Sequence, residues 1–520
     1  MMNLFFAVLS SFLYAAAFPK LNLWGLSFIA LVPFFAVLDG KHSAIKQAGY
    51  GLLWGAGMSI GMGYWVLPTL LYHYETPFVR SVIFFFLCLV LPVGLIYGVF
   101  ALLYRFLHQD SLFFDALVIP ALWVLLEYVK ERISFLIPWG GLASALTPFS
   151  TFVQAADIIG AYGIVFVAVM INALCFRFIK GRQRGKAFPP GESGIQKGIF
   201  PQFKFSGILP LLLCILFIAA FSFYGMYRLR KIDDRIRQQT FTGASVPVTL
   251  VQGNFSTKER WSGMGFYQRT LTYLELSRSK IAGPRVIVWP ETTLNSFKDI
   301  NDAFFSKLMR AIGADSLLIS GGLKTDPDTN DVYNCVYFIS GTGRLSRYDK
   351  HRLLPYAETS PFIDLLDAYY SAPGEFKEGR TPVTVETPEG LAGASVCMEI
   401  LYPDFIRRSV KDGGAYLVNV SNDSWFSDSA MPYIHLNAAR LRAIENRRYL
   451  LRASNSGISA IISPTGQITA QSRLFARERV DGEFIRMDAM SIYTRFGNLV
   501  LYGAILILMT ALMQLAMRKN

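Results

Sequence analysis

Eight long apolar stretches constrain this chain more than any other feature of its sequence. Seven lie in the first half of the chain and the eighth lies close to its C-terminal end. A helix needs about 20 apolar residues to cross a bilayer, and most of the stretches approach or exceed that length, although the first two are short. We therefore predict a helical membrane bundle of about eight spans. The predicted spans are 3–18, 23–38, 48–71, 81–107, 112–129, 161–179, 208–226 and 497–517.

The first stretch allows a second interpretation. The run Ala15-Ala16-Ala17 resembles the cleavage site of a secretory signal peptide. However, no basic residue precedes the apolar stretch, as a signal peptide would require. We therefore predict a retained membrane anchor.

Charge, cysteine and histidine content limit the classes of function. The net charge of +13 would suit a nucleic-acid partner, but basic residues that flank membrane spans account for it better, so we predict no nucleic-acid partner. Five cysteines, three of them inside apolar stretches, do not form a disulfide framework, although pairing of Cys335 with Cys397 stays open. Five scattered histidines lack metal-ligand spacing. We predict no metal and no cofactor.

Basic residues in the short loops predict which side of the membrane each segment occupies. A linker at 180–207 carries six lysines and arginines, and the tail ends with Arg518 and Lys519. With an even number of spans both lie on one side, which the positive-inside rule makes cytoplasmic. The basic residues at 228–237 oppose this orientation, but they open a long translocated domain, where the rule weakens. The predicted domains are a bundle at 1–227, an extracytoplasmic domain at 228–490, and a last span with a cytoplasmic tail at 491–520.

The block at 228–490 alternates short strands with helices and is rich in glycine and charge. About 260 residues of this kind are enough for two sheets flanked by helices. The predicted strands are 248–252, 285–289, 316–320, 332–340, 383–386, 392–396, 415–420 and 457–463. The predicted helices are 265–281, 303–313, 402–412 and 434–447.

Three chemical groups follow predicted strands in this block. Cys397 and Glu399 end one strand, and Glu291 follows an apolar strand that Pro290 is expected to stop. Lys350 follows the predicted strand 332–340 and a Gly-Thr-Gly turn. A thiol attacks as a thiolate, so it needs a base or a cationic neighbour. A carboxylate can accept the thiol proton, and an ammonium can stabilise an oxyanion.

A cysteine–histidine pair is the common alternative for activating a thiol, and two histidines lie in the same block. His351 sits in a basic cluster, and His435 belongs to a predicted helix. Neither has a distinctive local sequence. Taken one at a time, Cys397, Glu291 and Lys350 are also compatible with a buried structural cysteine, a surface carboxylate and a solvated lysine. Their order along the chain is the stronger signal.

That order resembles the nitrilase, or carbon–nitrogen hydrolase, superfamily, in which glutamate, lysine and cysteine follow one another. With seven spans before the block and one after it, the entire chain resembles the apolipoprotein N-acyltransferase family of that superfamily. The residues that carry the resemblance are Trp289-Pro290-Glu291, Tyr348-Asp349-Lys350, Cys397-Met398-Glu399, Asn419 to Asp423, the helix with Arg442 to Asn446, Val251 to Asn254 followed by Trp261, and Pro355 to Glu358.

The resemblance implies an αββα sandwich and a catalytic triad of Glu291, Lys350 and Cys397. Glu358 matches a second essential glutamate of the family, and Glu399 follows the nucleophile by two residues; both are expected to orient the lysine and the acceptor amine. Met398 stands where the family usually has an aromatic residue, so the fit of the acyl chain and the placement of the thiol come into question there.

Further residues are expected to bind substrate. Trp261, Trp425 and Phe426 would form an apolar mouth near the bilayer, although an ordinary core role explains them equally well. Asn422 belongs to the matched Asn419–Asp423 segment and is expected near the substrate.

The expected reaction is acyl transfer from a phospholipid, through a thioester on Cys397, to the α-amine of a diacylglyceryl-apolipoprotein. The expected location is the bacterial inner membrane, with the catalytic domain on the periplasmic side, and the expected state is a monomer. Two rivals remain: a membrane-tethered amidase or nitrilase acting on a small amide, and a non-enzymatic receptor or transporter with an α/β sensor domain. Seven spans exceed what a simple anchor needs, which argues against the tethered hydrolase.

Overall fold

A computed structural model describes residues 1–133, 138–186, 205–256, 266–278, 283–294, 302–313, 315–341, 344–359 and 376–519. The first half of the chain and its C-terminal end are helical, and a two-sheet domain lies between them. The helices outside that domain are Met2–Ala16, Val32–Leu38, Ala44–Gly63, Val66–Pro68, Phe78–Phe84, Leu91–Leu107, Ile119–Arg132, Leu142–Ala145, Ser150–Val153, Ala156–Lys186, Phe205–Phe241, Ile492–Phe496 and Leu499–Lys519, joined by a 3₁₀ turn at Trp24–Phe28 and π-helical turns at Thr69–His73, Phe85–Val90 and Phe114–Val118.

Four helices of the described chain are long and apolar enough to cross a membrane, namely Phe78–Leu107, Ala156–Arg182, Gly207–Phe241 and Leu499–Arg518. Met2–Ala16 and Trp24–Leu38 are shorter apolar helices. The helical, apolar character of the first half is therefore as expected, whereas the number of eight spans stays a prediction. The last helix before the sheets continues to Phe241, beyond the expected boundary at 228, and the first strand begins at Ser245.

The domain contains twelve described strands in two six-stranded sheets. The first sheet has the order β12-β1-β2-β3-β4-β5, and the second has the order β11-β10-β9-β8-β7-β6. The strands are β1 Ser245–Gln252, β2 Val286–Leu294, β3 Leu317–Thr325, β4 Val332–Ser340, β5 Leu345–Asp349, β6 Thr384–Thr387, β7 Gly390–Val396, β8 Tyr416–Ser421, β9 Leu450–Ser454, β10 Ala460–Ile462, β11 Ile468–Gln471 and β12 Glu478–Ile485.

The two sheets pack face to face, with helices on their outer faces. Valines and isoleucines of β1–β4 share one buried core with those of β7–β10. A second, smaller core lies outside the first sheet, beneath the helices Phe266–Ser277 and Asp302–Ile312. The helices Pro403–Lys411 and Met431–Asn446 pack on the outer side of the second sheet. The central strands β2, β8, β9 and β10 are thus buried on both faces, whereas the edge strands β6 and β11 have exposed residues.

Buried ion pairs join the domain to the helical bundle. Arg447, at the end of the helix Met431–Asn446, lies 2.8 Å from Asp157 and donates to the side chain of Gln154 at 2.6 Å. Gly160, with a φ of 66°, breaks the helix Ala156–Lys186, and the N–H of Ala161 beyond the break donates to Glu445 at 2.7 Å. Because these groups are buried, the domain is fixed against the bundle.

Candidate active site

Cys397 occupies a constrained turn directly after β7. Its φ is 49°, in the left-handed region, and it begins the 3₁₀ turn Cys397–Leu401. A non-glycine residue in this conformation stores about 1–3 kcal/mol of strain and is frequent at functional sites. Burial, followed by the charge of Glu291, raises the pKa of the thiol, while Lys350 opposes the shift. The resting side chain is therefore a thiol, and it requires a base before it can attack.

Glu291 lies in a bulge of β2, and here the expected strand end is wrong. β2 pairs with β3 up to Trp289, the register then shifts, and pairing resumes at Leu294. A bulge leaves backbone groups outside the ladder, so Pro290 sits within the strand instead of stopping it. A Cβ atom on Gly321 would lie 2.4 Å from the Cα of Glu291, so a glycine is needed there.

Lys350 follows β5 and is almost completely buried between carboxylates. Its Nζ lies 2.7 Å from Glu358 Oε2 and 3.7 Å from Glu291 Oε1. Burial alone would lower the pKa of this amine, but Glu358, Glu291 and Cys397 raise it above its ordinary value. Lys350 is therefore an ammonium, and the cluster brings together an acid–base carboxylate, a fixed positive charge and a thiol.

Asn334 completes this cluster, although no sequence motif had indicated it. Its Nδ2 donates to Glu291 and to Glu358, each at 2.8 Å, and its backbone carbonyl accepts from the N–H of Lys350 at 2.8 Å. Asn334 lies on β4, the hairpin partner of β5, which ends at Asp349 directly before Lys350. Only the pairing of β4 with β5 reveals its place, since no local motif marks it.

Glu399 connects the lysine loop to the cysteine turn. Its carboxylate accepts hydrogen bonds from the Tyr348 hydroxyl and from the backbone N–H groups of His351, Arg352 and Val396, at 2.7–2.9 Å. Burial raises the pKa of Glu399 to about 7, although Lys350 and these hydrogen bonds favour the ionised form. Its described contacts thus hold the two loops in place, whereas Glu358 contacts the lysine directly.

Three more residues, Met398, Asn422 and Trp261, are expected in or beside the substrate site. Met398 is buried in the main core at 2% exposure. Asn422 is buried, and its Oδ1 accepts from Asn455 at 3.0 Å and from the Ser424 hydroxyl at 2.9 Å. Trp261 lies outside the described residues.

Trp425 and Phe426 border an apolar cavity between the bundle and the domain. The helical first half of the chain supplies Trp65, Leu70 and Phe84 to its wall, and the loop before Glu358 supplies further residues. Both aromatic side chains also contact the bundle: Phe426 packs edge-on against Trp65, with ring centroids 4.7 Å apart, and the backbone carbonyl of Trp425 accepts from Thr69. The cavity therefore lies beside the residues that hold Lys350.

His351 and His435, the two alternative bases for the thiol, differ in the groups that lie around them. The ring of His351 contacts the Thr381 carbonyl at 2.8 Å. A ring nitrogen of His435, the Cys397 sulfur and a carboxylate oxygen of Asp423 all lie within 4.8 Å of one another. Cys335 and Cys397 are both free thiols, so the disulfide that the sequence left open is absent between them.

The fold and the site define a domain of the carbon–nitrogen hydrolase class attached to a helical membrane bundle. The family model described as carbon–nitrogen hydrolase matches residues 247–484, and the one described as apolipoprotein N-acyltransferase N-terminal domain matches residues 10–174. Together they match well over half of the chain, which belongs to the apolipoprotein N-acyltransferase family.

Relatives match over nearly the whole length of the chain. The apolipoprotein N-acyltransferase of Geobacter metallireducens is 29% identical, over 96% of this chain and 92% of its own. That of Pasteurella multocida is 26% identical, over 97% of this chain and 94% of its own. Among solved structures, Nit3 of Saccharomyces cerevisiae, a member of the nitrilase superfamily, is 21% identical over 46% of this chain and 90% of its own, with a TM-score of 0.38.

Proposed function

We propose that this chain is an acyltransferase that moves a fatty acyl chain from a phospholipid to the α-amine of the diacylglyceryl-cysteine of an apolipoprotein. The observation that carries the proposal is the joint position of the buried thiol cluster and the apolar cavity lined by membrane helices. Exposing an acyl chain to water costs about 0.8 kcal/mol per CH₂. A membrane-anchored site that receives the chain directly avoids that cost.

In the first half-reaction Cys397 becomes acylated. Glu291 accepts the thiol proton, and the thiolate attacks the ester carbonyl of the phospholipid. The ammonium of Lys350 stabilises the resulting oxyanion. The tetrahedral intermediate then expels the lysophospholipid alkoxide, which receives the proton from Glu291, and a thioester remains on Cys397.

In the second half-reaction the lipoprotein amine accepts the acyl chain. The neutral amine attacks the thioester, Glu291 accepts an amine proton, and the sulfur leaves as a thiolate. Return of the proton from Glu291 to sulfur restores the resting thiol, so the cycle balances. This ping-pong order suits two membrane-bound substrates that occupy one site in turn.

The neighbouring residues hold the reacting groups in place or line the substrate site. Glu358 and Asn334 hold Lys350 and Glu291, and Glu399 fixes the two loops that carry the lysine and the cysteine. Trp425 and Phe426 contact the acyl chain in the apolar cavity. Asn422, Met398 and Trp261 are assigned to the surrounding substrate site on the resemblance to the family.

The same proposal includes the membrane arrangement. The chain crosses the bacterial inner membrane eight times as a monomer, with an αββα domain on the periplasmic side and the linker 180–207 in the cytoplasm. Single cysteines introduced at Asp328 and at Ser193 test this orientation. A membrane-impermeant maleimide should label the first in intact spheroplasts and the second only after permeabilisation; the reverse pattern would contradict it.

The reaction is tested with the full-length protein in proteoliposomes that contain phospholipid radiolabelled in its acyl chain. The wild type should retain label, and a diacylglyceryl lipopeptide should then remove it in an amide bond. Cys397→Ala should retain none. Ammonia release from small amides without label transfer would indicate a tethered hydrolase instead. The absence of both label transfer and ammonia release would favour a non-enzymatic receptor.

A further inference from the structure

Asp423 is a completely buried carboxylate that the proposed reaction does not use. Its Oδ2 accepts from Arg452 at 2.8 Å, and its Oδ1 lies 3.1 Å from His435 Nδ1 and accepts from the Ser421 hydroxyl at 2.8 Å. Burial raises the pKa of this carboxyl, but Arg452 and His435 lower it by a larger amount. The pKa of Asp423 is therefore below its ordinary value. Asp423 is therefore ionised at neutral pH and only accepts hydrogen bonds.

Ser421 joins this carboxylate to the sulfur of Cys397. β7 and β8 are parallel, and Val396 is paired with Val420, so Cys397 and Ser421 are the next residues at the same edge of the sheet. The Ser421 hydroxyl acts on the thiol from this position and lowers the pKa of Cys397. Cys397 Sγ and an Asp423 carboxylate oxygen lie within 4.8 Å of each other. Ser421 is thus a hydroxyl between a thiol and a permanent acceptor.

The charge states fix the direction of these hydrogen bonds. A hydroxyl has one hydrogen, and Ser421 donates it to Asp423 in the resting enzyme. Its oxygen is then free to accept the S–H of Cys397. After the thiol proton has moved to Glu291, the hydroxyl can rotate and donate to the thiolate. Asp423 still has Arg452 and His435 as partners, so it is not left as an unpaired buried charge.

We propose that Ser421 is a hydrogen-bond switch for the nucleophile, donating to Asp423 at rest and to the Cys397 thiolate during attack. The inference rests on the proposed function of Cys397 as the nucleophile. No proton is gained or lost at Ser421, because the thiol proton moves to Glu291 and the hydroxyl only rotates. Since the thiolate is also the leaving group of the second half-reaction, Ser421 serves both halves.

The variant Ser421→Ala tests the switch in the full-length enzyme. A hydrogen bond to a charged group contributes about 1.5–3 kcal/mol, so the rate of thioester formation should fall about 10- to 150-fold. The pKa of Cys397, taken from the pH dependence of alkylation by a small thiol reagent, should rise by about one to two units for the same reason. Glu291, Lys350, Asp423 and His435 also lie near the sulfur, and all variants share these four groups.

Ser395→Ala is the matched control. Ser395 is equally buried on the neighbouring strand and donates to the Val418 carbonyl at 3.1 Å, but its described hydrogen bonds do not include the sulfur. This variant should leave the alkylation pKa unchanged. Ser421→Thr, which keeps the hydroxyl, should restore most of the rate and the wild-type pKa, which separates loss of the donor from loss of folding.

An unchanged alkylation pKa in Ser421→Ala would overturn the proposal, as would equal losses of rate in Ser421→Ala and Ser395→Ala. The alkylation measurement needs no substrate. If the wild type forms no thioester, the proposed function fails, while the pKa comparison still decides whether Ser421 stabilises the thiolate.

Discussion

At the scale of single residues, Asn334 controls the distance between two like charges. Its amide donates to Glu291 and Glu358 at once, and both carboxylates face Lys350. Without the bridge, one ammonium would have to hold two carboxylates in a buried site. We expect such a cluster to move, because unpaired buried charges are costly.

The variant Asn334→Leu should therefore lose activity with little loss of substrate binding. Hydrogen bonds to charged groups contribute about 1.5–3 kcal/mol, so thioester formation should slow at least about tenfold. Single-turnover labelling with a radiolabelled phospholipid measures this rate. A rate equal to that of the wild type would show that Lys350 alone positions the two carboxylates.

Glu399 gives the folded domain a specific pH dependence. Burial raises its pKa from 4.5 to about 7. The native state therefore retains a proton that the unfolded state releases near its ordinary pKa, so the free energy of unfolding falls as pH rises from about 4.5 to about 7. The effect is at most about 3 kcal/mol.

The matched variant Glu399→Gln does not titrate, so it should lack this part of the pH slope. Its amide would also direct a donor toward either the Val396 N–H or the N–H groups of His351 and Arg352, which lowers overall stability. Thermal unfolding in detergent between pH 4.5 and pH 7 measures both effects. Parallel pH profiles for the two proteins would contradict the assignment.

Sequence motifs predicted that Glu291, Lys350 and Cys397 would lie together, but they did not predict the residues that support this cluster. Each of the three follows or interrupts a strand in a recognisable pattern, so their types and order were enough to predict their common position. Asn334 and His435 reach the site through strand pairing and helix packing, which local sequence does not encode. The contact between Asp423 and Ser421 depends likewise on the turn after β8.

At the scale of elements, the bulge in β2 decides where Glu291 points. The strand continues through Pro290 to Leu294 because the bulge removes backbone groups from the ladder. Gly321 on β3 allows the bulged backbone to approach, since a Cβ there would meet Glu291 and the Pro290 carbonyl at 2.4–2.5 Å. A side chain at position 321 has to displace the catalytic carboxylate.

The variant Gly321→Ala should thus slow thioester formation by at least about tenfold while the protein still inserts and folds, because 1 Å displacements in a catalytic site have such effects. Gly503→Ala is the control, since a Cβ at position 503 has no neighbour within 4 Å. Labelling rates and thermal unfolding are measured for both variants. Equal rates for the two variants would mean that the bulge adapts without moving Glu291.

Element boundaries were predictable where the pattern was simple. The strand expected at 332–340 is β4 with the same bounds. The four strands β5, β9, β11 and β12 were missed. Of these, β9 follows two arginines and contains the buried Arg452, and β12 is rich in charged residues at the edge of its sheet. Tertiary pairing overrides the hydrophobic pattern at both strands.

At the scale of the whole molecule, the domain and the bundle behave as one unit because charged groups are buried between them. Arg447 contacts Asp157, Gln154 and the Pro464 carbonyl, and Asp157 also pairs with Arg228 at 2.8 Å. The apolar cavity bordered by Trp425 and Phe426 is lined by residues of both parts, so its shape depends on this junction.

The variant Arg447→Met should destabilise the protein by about 3 kcal/mol, because it leaves buried acceptors and part of a carboxylate unpaired. Arg473→Met is the control: that side chain is 83% exposed in its ion pair, and the change should cost less than about 1 kcal/mol. Thermal unfolding in detergent compares them. Equal stability of the two variants would show that the junction does not hold the domain.

Mass spectrometry of the peptide that contains Cys397 is the sharpest test of whether this residue carries the acyl chain between donor and acceptor. The enzyme is purified from membranes in the absence of acceptor, together with a Glu358→Ala variant intended to trap the intermediate. We expect a mass increase of one fatty acyl group on Cys397 that neutral hydroxylamine removes. An unmodified Cys397 in both proteins after incubation with phospholipid, or an acyl group on another residue, would contradict it.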